Sequence, residues 1–548
     1  MSLRWTACLI ILTLTPALSV ADTYPVNPGI DIIHYRFALD LSDTSGRLVA
    51  KADILARFLT RDIQQLRLDL VNRTDENDGH GMIVSAVSHD GNPLKFRHEN
   101  DVLWIDLPGP SAVNQSFEFT VEYAGAPLTG LLIKENKYGD LTVFSDNWPD
   151  KARNWLPTVD HISDKATSEM LVIAPEQWQV VSNGLLVEQS GLGNGLRLTH
   201  WRQSVPIAPW LYVLAAADFA VQHVDEFDHK SIQTWVYRQD RDAGFYDFAV
   251  PTRQVLEFMS SYVGPFAYEK LANIQGNSVG GGMEAASAIL YSDESVTGER
   301  TARWRYVIVH EIAHQWFGNS VTEASWDDVW LSEGFATYFS YLFYEYADGH
   351  DAFVASMADT RDRVFEFYDK QPDYQIVHDD LADMKDVTTR QIYDKGAWVL
   401  HMLRNRIGDE QWWAGIRNYY RKYMNSHASV ADFRFEMESV CNCNLNEFFD
   451  QWLYQGGNIR IDGTWHYNES AGSVEVSLMQ VQEDGFDFAV DVEIGVYANG
   501  DTAPAIHSLT LDSQGGRTSI PVAEKPVRVQ LDPRTVLLAQ WTLNEALQ

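Results

Sequence analysis

Residues 306–320 read YVIVHEIAHQWFGNS: two histidines four positions apart, a glutamate directly after the first, and apolar or aromatic residues around them. This stretch restricts the fold more than any other. From about Thr301 to Phe317 there is no proline or glycine, and Gly318–Asn319 offers a stop, so the run predicts a helix of four or five turns. On that helix His310 and His314 lie one turn apart on the same face, and Glu311 sits about 100° further round. Three titratable groups on so apolar a helix need something to offset their burial.

The pattern is H-E-x-x-H, in which both imidazoles bind zinc and the glutamate serves as general base. The alternative is two core histidines that satisfy one another. A catalytic zinc takes three protein ligands and keeps a fourth position open. Downstream comes WDDVWLSEGFATYFSYLFYEYA, a second helical run for which Ser332 is the expected cap, with Glu333 in its first turn, 19 residues after His314. A helix, a loop and the start of an antiparallel helix return that carboxylate to the histidines and complete a His2Glu set. Alone, Glu333 reads as a solvated first-turn glutamate favoured by the helix dipole. Together, His310, His314 and Glu333 predict one zinc ion per chain, although Co and Mn occupy similar ligand sets.

Three segments together resemble the gluzincin aminopeptidases, the aminopeptidase N and leukotriene hydrolase family. They are HEIAHQWFGNSVT with VWLSEGFATYF, then GGGMEAASAILYS at 280–292 (similar to the family's G-x-M-E-N motif), and YDKGAWVLHML from Tyr393 (similar to its Y-E-K-G segment). ARNWLPTVDHISDKAT at 152–167 and FFDQWLYQGGNI at 448–459 look like further landmarks, so the resemblance extends over nearly the whole mature chain. It implies a zinc aminopeptidase acting on peptides with a free N-terminal amine, in a short form lacking the C-terminal helical domain of larger relatives.

By the same resemblance Glu311 is the general base and Tyr393 the donor to the oxyanion. Glu284 receives the substrate amine, and Gly281, Gly282 and Met283 form the strand beside the substrate. Without the resemblance, Tyr393 reads as a packed tyrosine and Glu284 as an exposed residue ending a turn. Ala285 departs from the family's asparagine, which puts affinity or substrate range in question rather than reaction class. Asp146 and Asn147 are candidates for a second acid at the amine, and Asp327 and Asp328 either orient a ligand histidine or lie solvated on the surface. The rivals are a leukotriene-hydrolase-like epoxide hydrolase and a non-catalytic peptide-binding relative. Intact Glu311 and Tyr393 argue against the latter.

The remaining chain sets boundaries. Lys and Arg total 42 against 76 Asp and Glu, giving 42 − 76 = −34, which argues against nucleic acid and anionic membrane as partners. The N-terminal MSLRWTACLIILTLTPALSVADTYP carries one arginine before a short apolar run and small residues at Ser19–Ala21, so residues 1–21 read as a cleaved secretory signal. The expected location is periplasmic or extracellular, with no later membrane span. Beyond the signal only Cys441 and Cys443 remain, read as small buried residues beside a helix, with a local disulfide as the alternative. Short alternating stretches from 22 to 220 predict an antiparallel β domain, and helical periods mark 221–455. The strands of 456–548 predict a C-terminal β-sandwich. The fold class is thus multi-domain α+β around a thermolysin-like, mainly helical catalytic domain.

Overall fold

The computed structural model describes residues 24, 28–42, 45–299, 304–377, 381 and 384–546. The expected signal, 1–21, lies outside the described residues. The N-terminal third is β structure. Its largest sheet has eight strands, built around Ile30–Asp40, Leu48–Phe58 and Ser116–Ala126 with antiparallel pairing throughout that group. One pairing is parallel: Ile30–Asp40 lies beside Ala166–Pro175, from His34 opposite Thr167 to Asp40 opposite Ile173. Ser116–Ala126 buries every second residue, as a half-covered sheet requires.

A five-stranded mixed sheet follows, ordered Phe219–Phe227, Lys230–Tyr237, Lys270–Gly276, Ala288–Ser292 and Gly282–Met283. Lys270–Gly276 is buried along its whole length, as expected of a parallel strand covered on both faces. The last strand is short, antiparallel to Ala288–Ser292, and forms the sheet's edge.

The middle region contributes the helices, labelled in chain order: α1 (Arg241–Asp247), α2 (Ala249–Tyr262), α3 (Arg305–Ala313), α4 (Trp330–Asp348), α5 (His350–Tyr368), α6 (Arg390–Ile407), α7 (Asp409–Tyr423), α8 (Val430–Cys441) and α9 (Asn446–Leu453). The histidine helix is shorter than its periodicity predicts. It ends at Ala313, with His314 in the capping position, and the chain then tightens: Gln315 N–H donates to the Ile312 carbonyl and Trp316 N–H to that of Ala313. Beyond that turn Phe317 packs on Phe335 and Phe339 of α4 at centroid distances of 4.5 and 5.0 Å. Ser332 is also not a cap. α4 begins two residues earlier, at Trp330, which frees the Ser332 hydroxyl for other use.

Helices α4 and α6 cross at two glycines. A Cβ added at Gly396 would stand 3.0 Å from the Gly334 Cα, so the helix backbones meet with no room for a side chain. The crossing fixes Glu333, next to one glycine, against Tyr393, one turn before the other.

The C-terminal part is a β-sandwich. Gly516–Pro521, Ser473–Gln480, Ile459–Asn468 and Ala539–Glu545 form one sheet, and Ala505–Leu511, Val490–Tyr497 and Arg528–Leu531 the other. No helix among the described residues is long and apolar enough to cross a membrane. The two cysteines do not follow their expected reading. Cys441 is half-buried and Cys443 exposed, and they are joined by a disulfide across the end of α8. Asn442 between them adopts the left-handed conformation that ends the helix, which brings the two side chains to the same side.

Because the crossing leaves no space, Gly396→Val should destabilise the protein by about 1–3 kcal/mol, the usual cost of overpacking. Urea unfolding measures this, and an unchanged midpoint would mean that the helices separate freely.

Candidate active site

The structure brings the three predicted ligands together. His310 Nε2 and His314 Nε2 are 3.0 Å apart, and Glu333 Oε2 lies 3.2 Å from each. Tetrahedral ligands at the usual zinc distance of about 2.0–2.1 Å stand about 3.3 Å from one another, so this triangle is the size such an ion requires. All three residues are buried. The other nitrogen of His314, Nδ1, faces the Phe317 carbonyl at 3.2 Å and the Ser332 hydroxyl at 3.1 Å. A proton on Nδ1 donated to that carbonyl leaves the Nε2 lone pair free for a metal. His310 Nδ1 is buried without a hydrogen-bond partner. The orienting role considered for Asp327 and Asp328 falls instead to Ser332 and the Phe317 carbonyl; both aspartates are buried rather than solvated.

Two further carboxylates enter the same pocket. Glu311 extends over Gly282, where an added Cβ would stand 2.3 Å from the glutamate's carboxyl carbon. Any side chain here would displace the Glu311 carboxylate from that position. Glu284 Oε1 lies 3.9 Å from His314 Nε2, and donor atoms of Glu284, Glu311 and His314 all fall within 4.8 Å of one another. Tyr393 stacks on His310, with ring centroids 5.8 Å apart and planes inclined by 23°.

The electrostatics follow from this crowding. Burial raises Glu284 to about 7, with Glu333 adding to the rise and His314 opposing it. Burial pushes Glu311 well above the carboxylate range, and the charge of Glu284 pushes further. Burial would also raise Glu333, but the charge of His314 and hydrogen bonds from both histidines hold it well below its usual value. Burial disfavours charge on His314, yet Glu284 and Glu333 push it up to about 10. Tyr393 is raised by burial and by the charges of Glu333 and Glu284, so its phenol stays protonated. Three buried carboxylates beside two imidazoles are short of positive charge, which a divalent cation would supply.

Gly281 and Gly282 lie at the edge of the five-stranded sheet, with the Gly281 carbonyl accepting from Ser292 N–H at 2.8 Å. Met283 and Ala285 are buried. Of the two candidates for a second acid, Asn147 is fully engaged elsewhere, donating to the Tyr212 carbonyl at 2.7 Å and accepting from Trp155 Nε1 at 2.9 Å. Asp146 is bonded to Lys151 at 2.9 Å, and its charge reaches Glu284.

Sequence reasoning passed over two amides. Gln315 Nε2 and Asn319 Nδ2 both donate to the Glu284 carbonyl, at 2.9 and 2.6 Å, and Gln315 Oε1 accepts from Ser287 N–H at 2.9 Å. The available signal was two fully buried polar residues following the second histidine in an apolar stretch. Glu323 was also passed over. It is buried with neither oxygen hydrogen-bonded, and burial holds it up at about 8.

Residues 246–452 match the Peptidase family M1 domain and residues 33–211 the Peptidase M1 N-terminal domain, together more than half of the chain. Among similar proteins, glutamyl aminopeptidase of Bos taurus is 30% identical over 330 residues, covering 57% of this chain and 34% of that protein. Probable aminopeptidase 1 of Sulfurisphaera tokodaii is 26% identical over 400 residues, 70% of this chain and 49% of that one. The chain therefore spans a third to a half of the length of these relatives. The M1 zinc metallopeptidase of Deinococcus radiodurans superposes with a TM-score of 0.64 at 22% identity, covering 77% of this chain and 93% of that one. At that identity the likeness is one of fold.

The Glu323 environment has a pH signature. An acid raised from 4.5 to about 8 by folding costs stability progressively as pH rises between those values, because unfolding lets it ionise. In metal-free protein, Glu323→Gln should melt above the parent, with the gap opening across that window and constant above it. A gap independent of pH would show that Glu323 is already ionised in the folded protein.

Proposed function

Because this chain belongs to the M1 peptidase family, we propose that it is a zinc-dependent aminopeptidase, releasing the N-terminal residue of peptides. One observation carries the proposal: the buried Glu284 carboxylate lies 3.9 Å from a nitrogen of the His2Glu cluster. An anion held that close to the reacting centre is placed to pair with the α-amine of the residue whose carbonyl is attacked. The edge strand Gly282–Met283 offers unpaired main-chain groups along which an extended peptide can lie.

When bound by His310, His314 and Glu333, zinc supplies a Lewis acid that lowers the pKa of water to near 7 and polarises a carbonyl. Glu311 takes the proton of the attacking water on its carboxylate and passes it to the departing amine. The Tyr393 hydroxyl, kept protonated by its surroundings, donates to the oxygen on which negative charge develops. Glu284 pairs with the substrate ammonium and fixes the register of cleavage. Gly282, by admitting the Glu311 side chain, brings the base and the substrate strand into contact.

We further propose export to a periplasmic or extracellular compartment, on the apolar N-terminal run and on the Cys441–Cys443 disulfide, which suits an oxidising environment. Divisions near residues 220 and 455 separate the N-terminal β, catalytic and sandwich regions.

A panel of free and N-acetylated aminoacyl reporters, assayed with and without a chelator, tests the reading. Free-amine substrates should be cleaved, blocked ones resisted, and activity lost on chelation and restored by zinc. Glu311→Gln should retain zinc and lose turnover. Equal cleavage of blocked peptides would leave an endopeptidase in its place.

Tyr393→Phe should lower kcat by roughly 10²–10³ with little change in KM, as for a donor used mainly in the transition state. Steady-state kinetics decides, and an unchanged kcat would make the tyrosine structural.

A further inference from the structure

We infer that Lys165, contributed by the N-terminal β region, is a positioning residue for the amine-binding carboxylate of Glu284, acting through the turn that leaves α3. This rests on the aminopeptidase reading above. Lys165 directly precedes the strand Ala166–Pro175, and its Nζ donates to the carbonyls of Asn319 and Ser320, both at 2.9 Å. Asn319 is fully buried. Its N–H donates to the His314 carbonyl at 3.0 Å, and its side-chain amide donates to the Glu284 carbonyl at 2.6 Å. A line of hydrogen bonds thus runs from the N-terminal sheet, through the turn after the metal-ligand histidine, to the main chain of Glu284.

Both amides that hold Glu284 sit on segments tied by main-chain hydrogen bonds, Gln315 to Ile312 and Asn319 to His314, and Asn319 is held in addition by Lys165 at its carbonyl. Gln315 sits in the tightened turn ending α3, where main-chain hydrogen bonds fix it, and its amide also grips Ser287. Asn319 lies beyond that turn, and the carbonyls at 319 and 320 face the ammonium. Charge-assisted bonds of this kind are stronger than neutral ones. Without Lys165 the carbonyls of Asn319 and Ser320 lose a shared donor, and the Asn319 amide holds the Glu284 carbonyl less firmly. The carboxylate then shifts relative to His310 on α3 and Glu333 on α4. Thr322 Oγ1 also donates to the Asn319 carbonyl, at 3.0 Å, so the turn loosens without unravelling. Glu323 is close enough for its charge to act on Lys165. A double variant removes Lys165 together with this buried acid, so its folding does not depend on how Glu323 is charged.

The test compares Lys165→Met, Lys165→Met/Glu323→Gln, Asn319→Ala and Lys165→Arg with wild type. It measures kcat and KM on free and N-acetylated aminoacyl reporters, with zinc content and thermal melting as controls. In folded protein with one zinc per chain, Lys165→Met and Asn319→Ala should raise KM for the free-amine reporter by about 10–100-fold, the scale of a misplaced binding group. The fall in kcat should be smaller, and the preference for free over blocked substrate should narrow in proportion. Lys165→Arg keeps a cation on the two carbonyls and should recover most of the loss. If Lys165→Met does not fold, the double variant and Asn319→Ala decide. A wild type that discriminates, beside folded variants that discriminate equally well, overturns the role of Lys165 alone. A wild type indifferent to acetylation overturns the aminopeptidase reading, and this role with it.

Discussion

Three carboxylates and two imidazoles share one pocket from which water is largely excluded, and the charge imbalance this creates governs the rest of the design. Glu284, Glu311, Glu333, His310 and His314 are each less than a tenth exposed. Carboxylates so close cannot all ionise without compensation. In the absence of a cation they divide. Glu333, bonded to both histidines, stays charged, while Glu284 and Glu311 are pushed toward the neutral form. A divalent ion in the triangle of ligands supplies the missing charge. The same five side chains then serve as ligands, a base and an anchor for an ammonium.

Holding such a pocket together demands a stiff frame, because every member would lower its energy by moving toward water. The frame has three parts. The glycine crossing of α4 and α6 fixes Glu333 against Tyr393. The aromatic contacts of Phe317 with Phe335 and Phe339 fix α3 against α4, and therefore the histidines against Glu333. The five-stranded sheet brings Gly282 under Glu311, with Gln315 and Asn319 holding Glu284, two residues on, by its carbonyl. Each contact joins segments distant in sequence. The N-terminal β region belongs to this frame through Lys165, which makes it part of the site's support rather than a separate module.

Much of this was legible beforehand because the chemistry leaves local marks. A four-residue spacing on a helix puts His310 and His314 on one face whatever surrounds them, and Glu333 needs only a turn and a returning helix to join them. The β–helix–β order was equally plain, since periods of 2 and 3.6 are properties of the chain itself. The errors also have local causes. Ser332 looked like a cap because its residue type favours that position, but the helix starts earlier and its hydroxyl meets His314. The histidine helix looked longer because no glycine or proline interrupts it, whereas the chain tightens into shorter turns after Ala313. Cys441 and Cys443 looked like buried fillers, and the turn of Asn442 joins them instead.

By itself the sequence determined the ligand types, their spacing, the candidate base and the succession of β and helical regions, because side-chain chemistry and backbone periodicity are written residue by residue. Only the tertiary structure decided which carboxylate keeps its charge, how closely Gly282 meets Glu311 and Gly396 meets Gly334, and that Gln315 and Asn319 hold the main chain of Glu284 while Lys165 holds Asn319. Those outcomes depend on distances between segments far apart in the chain and on how completely water is excluded around them. Neither quantity exists until the chain has packed.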